Sequence, residues 1–102
     1  MKYIRTKDGI EPFCIDEFTD YGKEYYKNCQ IADTIEELYG IGDLLVVSNG
    51  QSKMSIIVES LDYTKSWLRT HDNYKIIEVY IKSENDYKGI AKMNDKGELE
   101  LL

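Results

Sequence analysis

His71, Cys14 and Cys29 are the side chains of this chain best suited to nucleophilic catalysis or metal binding. A catalytic cysteine requires a neighbouring histidine, and a metal site or redox motif usually requires closely spaced ligands such as a CxxC pair. His71 is the only histidine, the two cysteines form no CxxC pair, and no spacing places the histidine beside either thiol. We therefore expect His71 to interact with the dipole of a helix C-terminus, and the cysteines to be buried free thiols.

Other catalytic signatures are also missing from the sequence. It contains no glycine-rich phosphate loop, no histidine-rich metal pattern and no serine elbow. Adjacent carboxylates such as Glu36 and Glu37 form a metal or acid pair only if the fold brings other ligands to them. The sequence thus favours a protein that is not an enzyme and that uses no metal or cofactor.

The net charge of −6 is distributed unevenly. No basic residue lies between Lys27 and Lys53. Four carboxylates lie in this interval, and they are our candidates for a partner-binding acidic face: Asp33, Glu36, Glu37 and Asp43. Such a face repels phosphate and attracts basic protein surfaces, which favours a protein partner over nucleic acid. The alternative is an acidic surface that only keeps the protein in solution.

Nine tyrosines and one tryptophan form a high aromatic content for 102 residues. Aromatic side chains with a polar end are enriched at interfaces, and so small a domain cannot bury all of them. The candidates for partner contact are Tyr25, Tyr63, Trp67 and Tyr74. The alternative is that the aromatic rings line strand faces and bond to the backbone.

Basic residues near Trp67 suggest a second use of the aromatic side chains. Lys65 and Arg69 flank the indole in sequence, a composition found where single-stranded nucleic acid stacks on protein. Asp62 and Asp72 dilute this positive charge, so direct nucleic-acid binding is not expected.

Residues 32–50, ADTIEELYGIGDLLVVSNG, predict a short helix, a buried strand and a turn. Asp33 is suited to be the N-cap, with Glu36 completing a capping box, and Gly40 offers a left-handed stop. The apolar run at 44–47 predicts a central strand covered on both faces.

The remaining segments predict further strands and one more helix. They are a hairpin at 3–15 with Pro12 on an edge strand, a strand at 23–31, strands at 54–59, 74–82, 87–94 and 98–102, and a helix at 61–71. This order predicts a single α+β domain over residues 1–102. Its antiparallel sheet would be strongly curved, in the extreme barrel-like, with five to seven strands and two short helices.

The membrane is not an expected partner. No apolar run approaches the roughly 20 residues that span a bilayer, and the N-terminus carries charges where a signal peptide is apolar. The sequence therefore predicts a cytoplasmic location.

Three phrases of the chain carry a family resemblance: YIRTKDGI at 3–10, ADTIEEL at 32–38 and YKGIAKMNDKGELELL at 87–102. They resemble small uncharacterised proteins encoded by bacteriophages and prophages of Gram-positive bacteria. The resemblance covers a little under half of the chain and is lost over 51–82. It implies a phage accessory protein in the bacterial cytoplasm, and it assigns no site residue.

Three functions are compatible with these observations. The first is a binding protein that inhibits a host defence protein by covering a basic surface. The second is a module that sequesters a nucleotide-like molecule in the mouth of the curved sheet. The third is a structural or morphogenetic phage component.

Overall fold

A computed structural model describes residues 2–6, 9–13 and 29–102. The chain divides into two compact units, residues 1–38 and residues 39–102. The strands are β1 (Lys2–Thr6), β2 (Gly9–Phe13), β3 (Gln30–Ala32), β4 (Leu44–Ser48), β5 (Lys53–Ile57), β6 (Lys75–Ser83), β7 (Asp86–Met93) and β8 (Leu99–Leu101). Helix α1 spans Leu61–Thr70, and a 3₁₀ helix spans Ile35–Glu37. The prediction of a single domain over 1–102 stays a prediction.

The first unit contains an antiparallel sheet in the order β2, β1, β3. Strands β1 and β2 form the predicted hairpin, and Pro12 lies on an edge strand opposite Tyr3, as expected for a residue that cannot donate a backbone hydrogen bond. Ile4, in the central strand, is 1% exposed. Of the strand predicted at 23–31, the last two residues belong to β3, and residues 23–28 lie outside the described residues.

The second unit, whose residues are all described, contains an open sheet in the order β5, β4, β6, β7, β8. Every neighbouring pair is antiparallel. Strand β4 is an interior strand that pairs with β5 on one side and β6 on the other, as predicted for residues 44–47, although β6 occupies the middle of the sheet. The prediction that both faces of β4 are covered is wrong. Leu45 and Val47 are fully buried, whereas Leu44 and Val46 on the other face are half-exposed.

A β-bulge in β6 decides which of its residues are buried. Val46 pairs with Glu78 and Val47 pairs with Ile76, which leaves Ile77 as an extra residue. The extra residue shifts the alternation of side chains along the strand. Ile76 and Val79 are therefore both buried, although their spacing of three residues departs from the two-residue period of a regular strand.

The register across the sheet defines two faces, because directly opposed residues of an antiparallel pair point to the same side. We call the side that carries the buried residues the inner face: Leu45, Val47, Ile76, Val79, Ala91 and Leu99. The opposite side is the outer face, where Glu78 is opposed to Val46 and Lys92. This one-sided burial is typical of antiparallel sheets.

Two asparagines organise hairpin turns of the second unit. The Asn49 Oδ1 accepts hydrogen bonds from the backbone N–H groups of Gln51 (2.9 Å) and Ser52 (2.7 Å). The Asn94 Oδ1 accepts in the same way from Lys96 (2.9 Å) and Glu98 (3.1 Å). The turn predicted at the end of residues 32–50 is confirmed, and in both turns the asparagine side chain replaces a backbone acceptor.

Helix α1 begins and ends close to the predicted bounds. The hydroxyl of Ser60, the N-cap residue, accepts a hydrogen bond from the N–H of Tyr63 (3.3 Å). His71 is the C-cap residue. Thr64 in the first turn is 0% exposed, and its hydroxyl has no hydrogen-bond partner among the described residues.

Within the described ranges, no helix is long and apolar enough to cross a lipid bilayer.

The described residues thus form a small α+β protein of antiparallel sheets, as predicted at that level. The strongly curved or barrel-like sheet is wrong, because β5 and β8 lie at opposite edges of an open sheet and β1–β3 form a separate one. The prediction of two helices is also wrong, since the short helix expected after Asp33 is only a single 3₁₀ turn.

Replacing Thr64 by valine should stabilise the protein. A buried hydroxyl without a partner costs on the order of 1–3 kcal/mol, and valine has nearly the same shape without the polar atom. We expect the free energy of unfolding to rise by about 1 kcal/mol in urea titrations. Thr70→Val is the matched control in the same helix, where the hydroxyl is exposed and lies 3.0 Å from the Ser66 carbonyl. A lower stability for Thr64→Val would show that the buried hydroxyl has a polar partner.

Candidate functional site

The carboxylates around the 3₁₀ helix form the candidate acidic surface of the first unit. Ile35 (2% exposed) and Leu38 (1% exposed) are buried and fix the position of this turn. Between them, Glu36 is half-buried and Glu37 is exposed. We call Asp33, Glu36 and Glu37 the acidic turn.

Asp33 does not cap the turn, so this prediction is wrong. The residue at the N-cap position is Thr34, and no side chain makes a capping bond there. The helical turn begins at Ile35, which places Asp33 one residue too early for capping. Its carboxylate instead accepts a hydrogen bond from the Lys2 ammonium at 3.0 Å, an exposed ion pair worth about 0–1 kcal/mol. This pair links β1 to the segment that follows β3.

The cations described in the first unit are already bound by local groups. Lys2 pairs with Asp33, and the Arg5 guanidinium donates to the carbonyl oxygen of Leu38 at 3.0 Å. Within residues 2–6, 9–13 and 29–38, neither Glu36 nor Glu37 forms an ion pair. The charges of these two carboxylates therefore face the surroundings without a described counter-charge.

Asp43 does not belong to the acidic surface, because its side chain is buried. It is 2% exposed, and its Oδ2 accepts a hydrogen bond of 2.7 Å from the N–H of Gly40. The placement of Asp43 on a partner-binding face is thus corrected. Its role is to hold the turn at 40–43 that leads into β4.

The predicted left-handed stop falls at Gly42, where φ is +95°, and not at Gly40. Gly42 donates to the Val58 carbonyl (2.8 Å), and the Val58 N–H donates to the Asp43 carbonyl (2.9 Å). Two residues thus oppose one, with glycine first, which is the glycine type of β-bulge. This bulge joins the start of β4 to the end of β5.

Trp67, His71 and Tyr74 form an aromatic cluster at the end of α1. The Trp67 and His71 rings are stacked with centroids 4.1 Å apart and planes at 9°. Tyr74 lies 5.6 Å from the indole at 59°. The His71 Nδ1 is 2.9 Å from the Trp67 carbonyl oxygen and 3.1 Å from the Thr70 hydroxyl oxygen. His71 lies at the helix C-terminus as expected, and its interaction with the helix dipole stays a prediction.

The other aromatic candidates are not part of this cluster. Tyr63 is 67% exposed and makes no ring contact among the described residues, and Tyr25 lies outside them.

Tyr39 is buried, and this burial raises the pKa of its phenol above 10.0. His71 was not recognised from sequence as a ring partner, although its position four residues after Trp67 contains that signal.

The described residues hold no group of three or more His, Cys, Asp or Glu side chains close enough to share a metal ion. Cys29 is a half-buried free thiol, and Cys14 lies outside the described residues.

Comparisons with known proteins give no match. No protein-family model matches the chain, and neither a curated protein nor a solved structure is significantly similar to it. The resemblance to phage-encoded proteins of Gram-positive bacteria therefore stays a prediction.

Replacing Asp43 by alanine should destabilise the second unit. The change leaves the Gly40 N–H without its acceptor in a buried turn, which costs about 1–3 kcal/mol. Chemical denaturation measures this loss. Asp95→Ala removes the same groups from an exposed turn and should change stability by less than about 0.5 kcal/mol. Equal effects of the two changes would contradict a structural role for Asp43.

Proposed function

We propose that this protein is a binding protein that covers a basic surface of another protein, with Glu36 and Glu37 at the contact. The observation that carries the proposal is their position on an anchored turn whose neighbouring cations, Lys2 and Arg5, already have local partners. A carboxylate without a local counter-charge is available to an external cation.

The rigidity of the turn favours binding. Ile35 and Leu38 are both buried, so the backbone that carries the two glutamates is held in place before a partner arrives. Preorganised groups lose less conformational entropy on association. Arginine is the best complement, since its guanidinium can make two charge-assisted hydrogen bonds to one carboxylate.

The class of partner follows from the charge and from the family resemblance. Exposed carboxylates repel the phosphates of nucleic acids and accelerate encounter with basic proteins. The resemblance to phage proteins makes a host defence protein the kind of target we propose, in the bacterial cytoplasm. On this proposal the protein acts by occlusion, as an inhibitor without catalytic activity or cofactor.

The ligand-sequestering alternative is less well supported after the fold is known. It required a curved sheet with a mouth, whereas the sheet of residues 39–102 is open, with β5 and β8 as its edges. Trp67 has one ring face covered by His71, which leaves less of the indole for stacking on a base. We therefore prefer the protein-binding function to ligand sequestration.

Reversing two charges of the acidic turn tests the proposal. The tagged double variant Glu36→Lys/Glu37→Lys should recover at least about tenfold less of the partner from a Gram-positive bacterial lysate than the wild type, since close interfacial charge pairs contribute more than 1.4 kcal/mol. Quantitative mass spectrometry of the eluates measures the ratio. Glu84→Lys/Glu98→Lys is the matched control, because it makes the same change in net charge at exposed turns of the second unit.

Two outcomes would contradict the proposal. The control reversal would lower recovery as much as the reversal in the acidic turn, or recovery would depend on nucleic acid and disappear after nuclease treatment.

A further inference from the structure

In the edge strand β5, one set of backbone N–H and C=O groups points towards β4 and the other set points away from it. At one end of the strand Val58 exchanges hydrogen bonds with residues 42 and 43, and at the other end the Ser52 carbonyl accepts from the Asn49 N–H at 3.2 Å. Successive residues of a strand direct their N–H and C=O groups to opposite sides. Lys53, Ser55 and Ile57 therefore point these groups away from β4, and within the fully described range 39–102 no strand pairs with that side.

The side chains of β5 are unusually exposed for a strand with apolar residues. Met54 is 43% exposed and Ile57 is 52% exposed, and Lys53 and Ser55 are exposed as well. Exposed edges with apolar side chains are templates for a further strand, and proteins usually cover or charge them. The only charge within this edge is that of Lys53, at its first residue.

We infer that β5 pairs antiparallel with β5 of a second copy of this chain, around a two-fold axis at Ser55. The pairing joins the two open sheets edge to edge into one continuous sheet. It gives partners to the outward backbone groups of both copies.

The position of the axis follows from the strand itself. An axis at Ser55 is the only one that overlaps all five residues of both strands, because the strand runs from Lys53 to Ile57. It places Met54 opposite the partner's Ile56 on the inner face, so that two apolar side chains cover each other. An axis at Lys53 would instead oppose two ammonium groups, which is destabilising.

The charges beside the strand complement each other in this pairing. Lys53 lies at the start of β5, and the exposed Glu59 lies two residues beyond its end. An antiparallel two-fold places Lys53 opposite the partner's Ile57 and diagonal to the partner's Glu59, about 7–8 Å away between backbones and within reach of long side chains. The symmetry repeats this pair, and the aliphatic part of Lys53 covers the partner's Ile57.

The strength of the pairing follows from its size. Five residues a side bury less surface than the roughly 1,200 Å² of a stable complex, so we expect a weak, concentration-dependent dimer. The two-fold contact is isologous and closes on itself. It therefore forms a dimer and not a filament.

Sedimentation velocity tests whether the dimer forms through this edge. Over about 1 µM to 1 mM, a range that spans weak association, the wild type should shift from monomer to dimer. Ser55→Pro should stay monomeric, because it removes an outward N–H while leaving the ladder to β4 intact. Far-UV circular dichroism and thermal unfolding establish that the variant is folded.

A charge exchange tests the register. Lys53→Glu should raise the dissociation constant at least about tenfold, since two like-charge contacts replace two ion pairs. Adding Glu59→Lys to this variant should restore dimerisation. The Glu36→Lys/Glu37→Lys variant should dimerise as the wild type does, which separates this inference from the proposed function.

Any of four results would overturn the inference. The wild type stays monomeric over the whole range, the dimer survives Ser55→Pro, or the second charge change fails to restore it. The fourth is a monomer whose β5 edge binds an extended strand of another protein.

Discussion

The fold of residues 39–102 depends on one constraint, the phase of side chains between β4 and β6. An antiparallel sheet with one buried face tolerates no slip, because a shift of one residue turns every apolar side chain to the other face. The bulge at Ile77 maintains this phase locally. It allows Ile76 and Val79 to oppose Val47 and Leu45 on the inner face, although their spacing along the chain is odd. A second register shift, between Val79 and Tyr80, does the same on the side of β7.

The turn at 40–43 determines two further features, the burial of Asp43 and the hydrogen bonding of β5. It buries Asp43 against the Gly40 N–H, which removes one carboxylate from the acidic region that the sequence suggests. The same turn places Gly42 and Asp43 opposite Val58, and so fixes which residues of β5 bond to β4. The backbone groups of Lys53, Ser55 and Ile57 therefore point away from β4 because of the glycine bulge where β4 begins and β5 ends.

Local chemistry explains which parts of the fold were predictable from sequence. The cap at Ser60 and the turn at Asn49 act over three or four residues, so their signals lie together in the chain. The strand order is not local: the continuous apolar run at 44–47 indicated an interior strand, but nothing in that run identifies β5 and β6 as its partners. The bulge at Ile77 likewise depends on the pairing of β6 with β4 and has no signal of its own in the sequence.

The same difference between local signals and contacts that depend on the fold applies to the candidate site. Glu36 and Glu37 were identified from their charge, and the structure leaves them outward because their neighbours Ile35 and Leu38 are buried. Asp33 was misassigned because its carboxylate pairs with Lys2, 31 residues away in the chain, and not with the helical turn beside it. Asp43 was misassigned because the burial of its side chain depends on the fold, although its hydrogen bond to the Gly40 N–H spans only three residues. Trp67 and Tyr74 were both predicted as contact residues, and their rings lie close together in the structure. The ring that stacks on the indole, however, belongs to His71.

The two proposed surfaces differ in the physics that selects their partners. The acidic turn cannot bind a second acidic turn, because like charges repel, so it requires a different molecule. The β5 edge carries Lys53 and Glu59 on either side of a short apolar strand, and it is therefore complementary to itself when inverted. Closed pairing through β5 leaves β8 as the outer edge of each joined sheet, and its three residues offer little to a further strand. This geometry argues for a finite assembly, and so against the open, repeating contacts that a morphogenetic component requires.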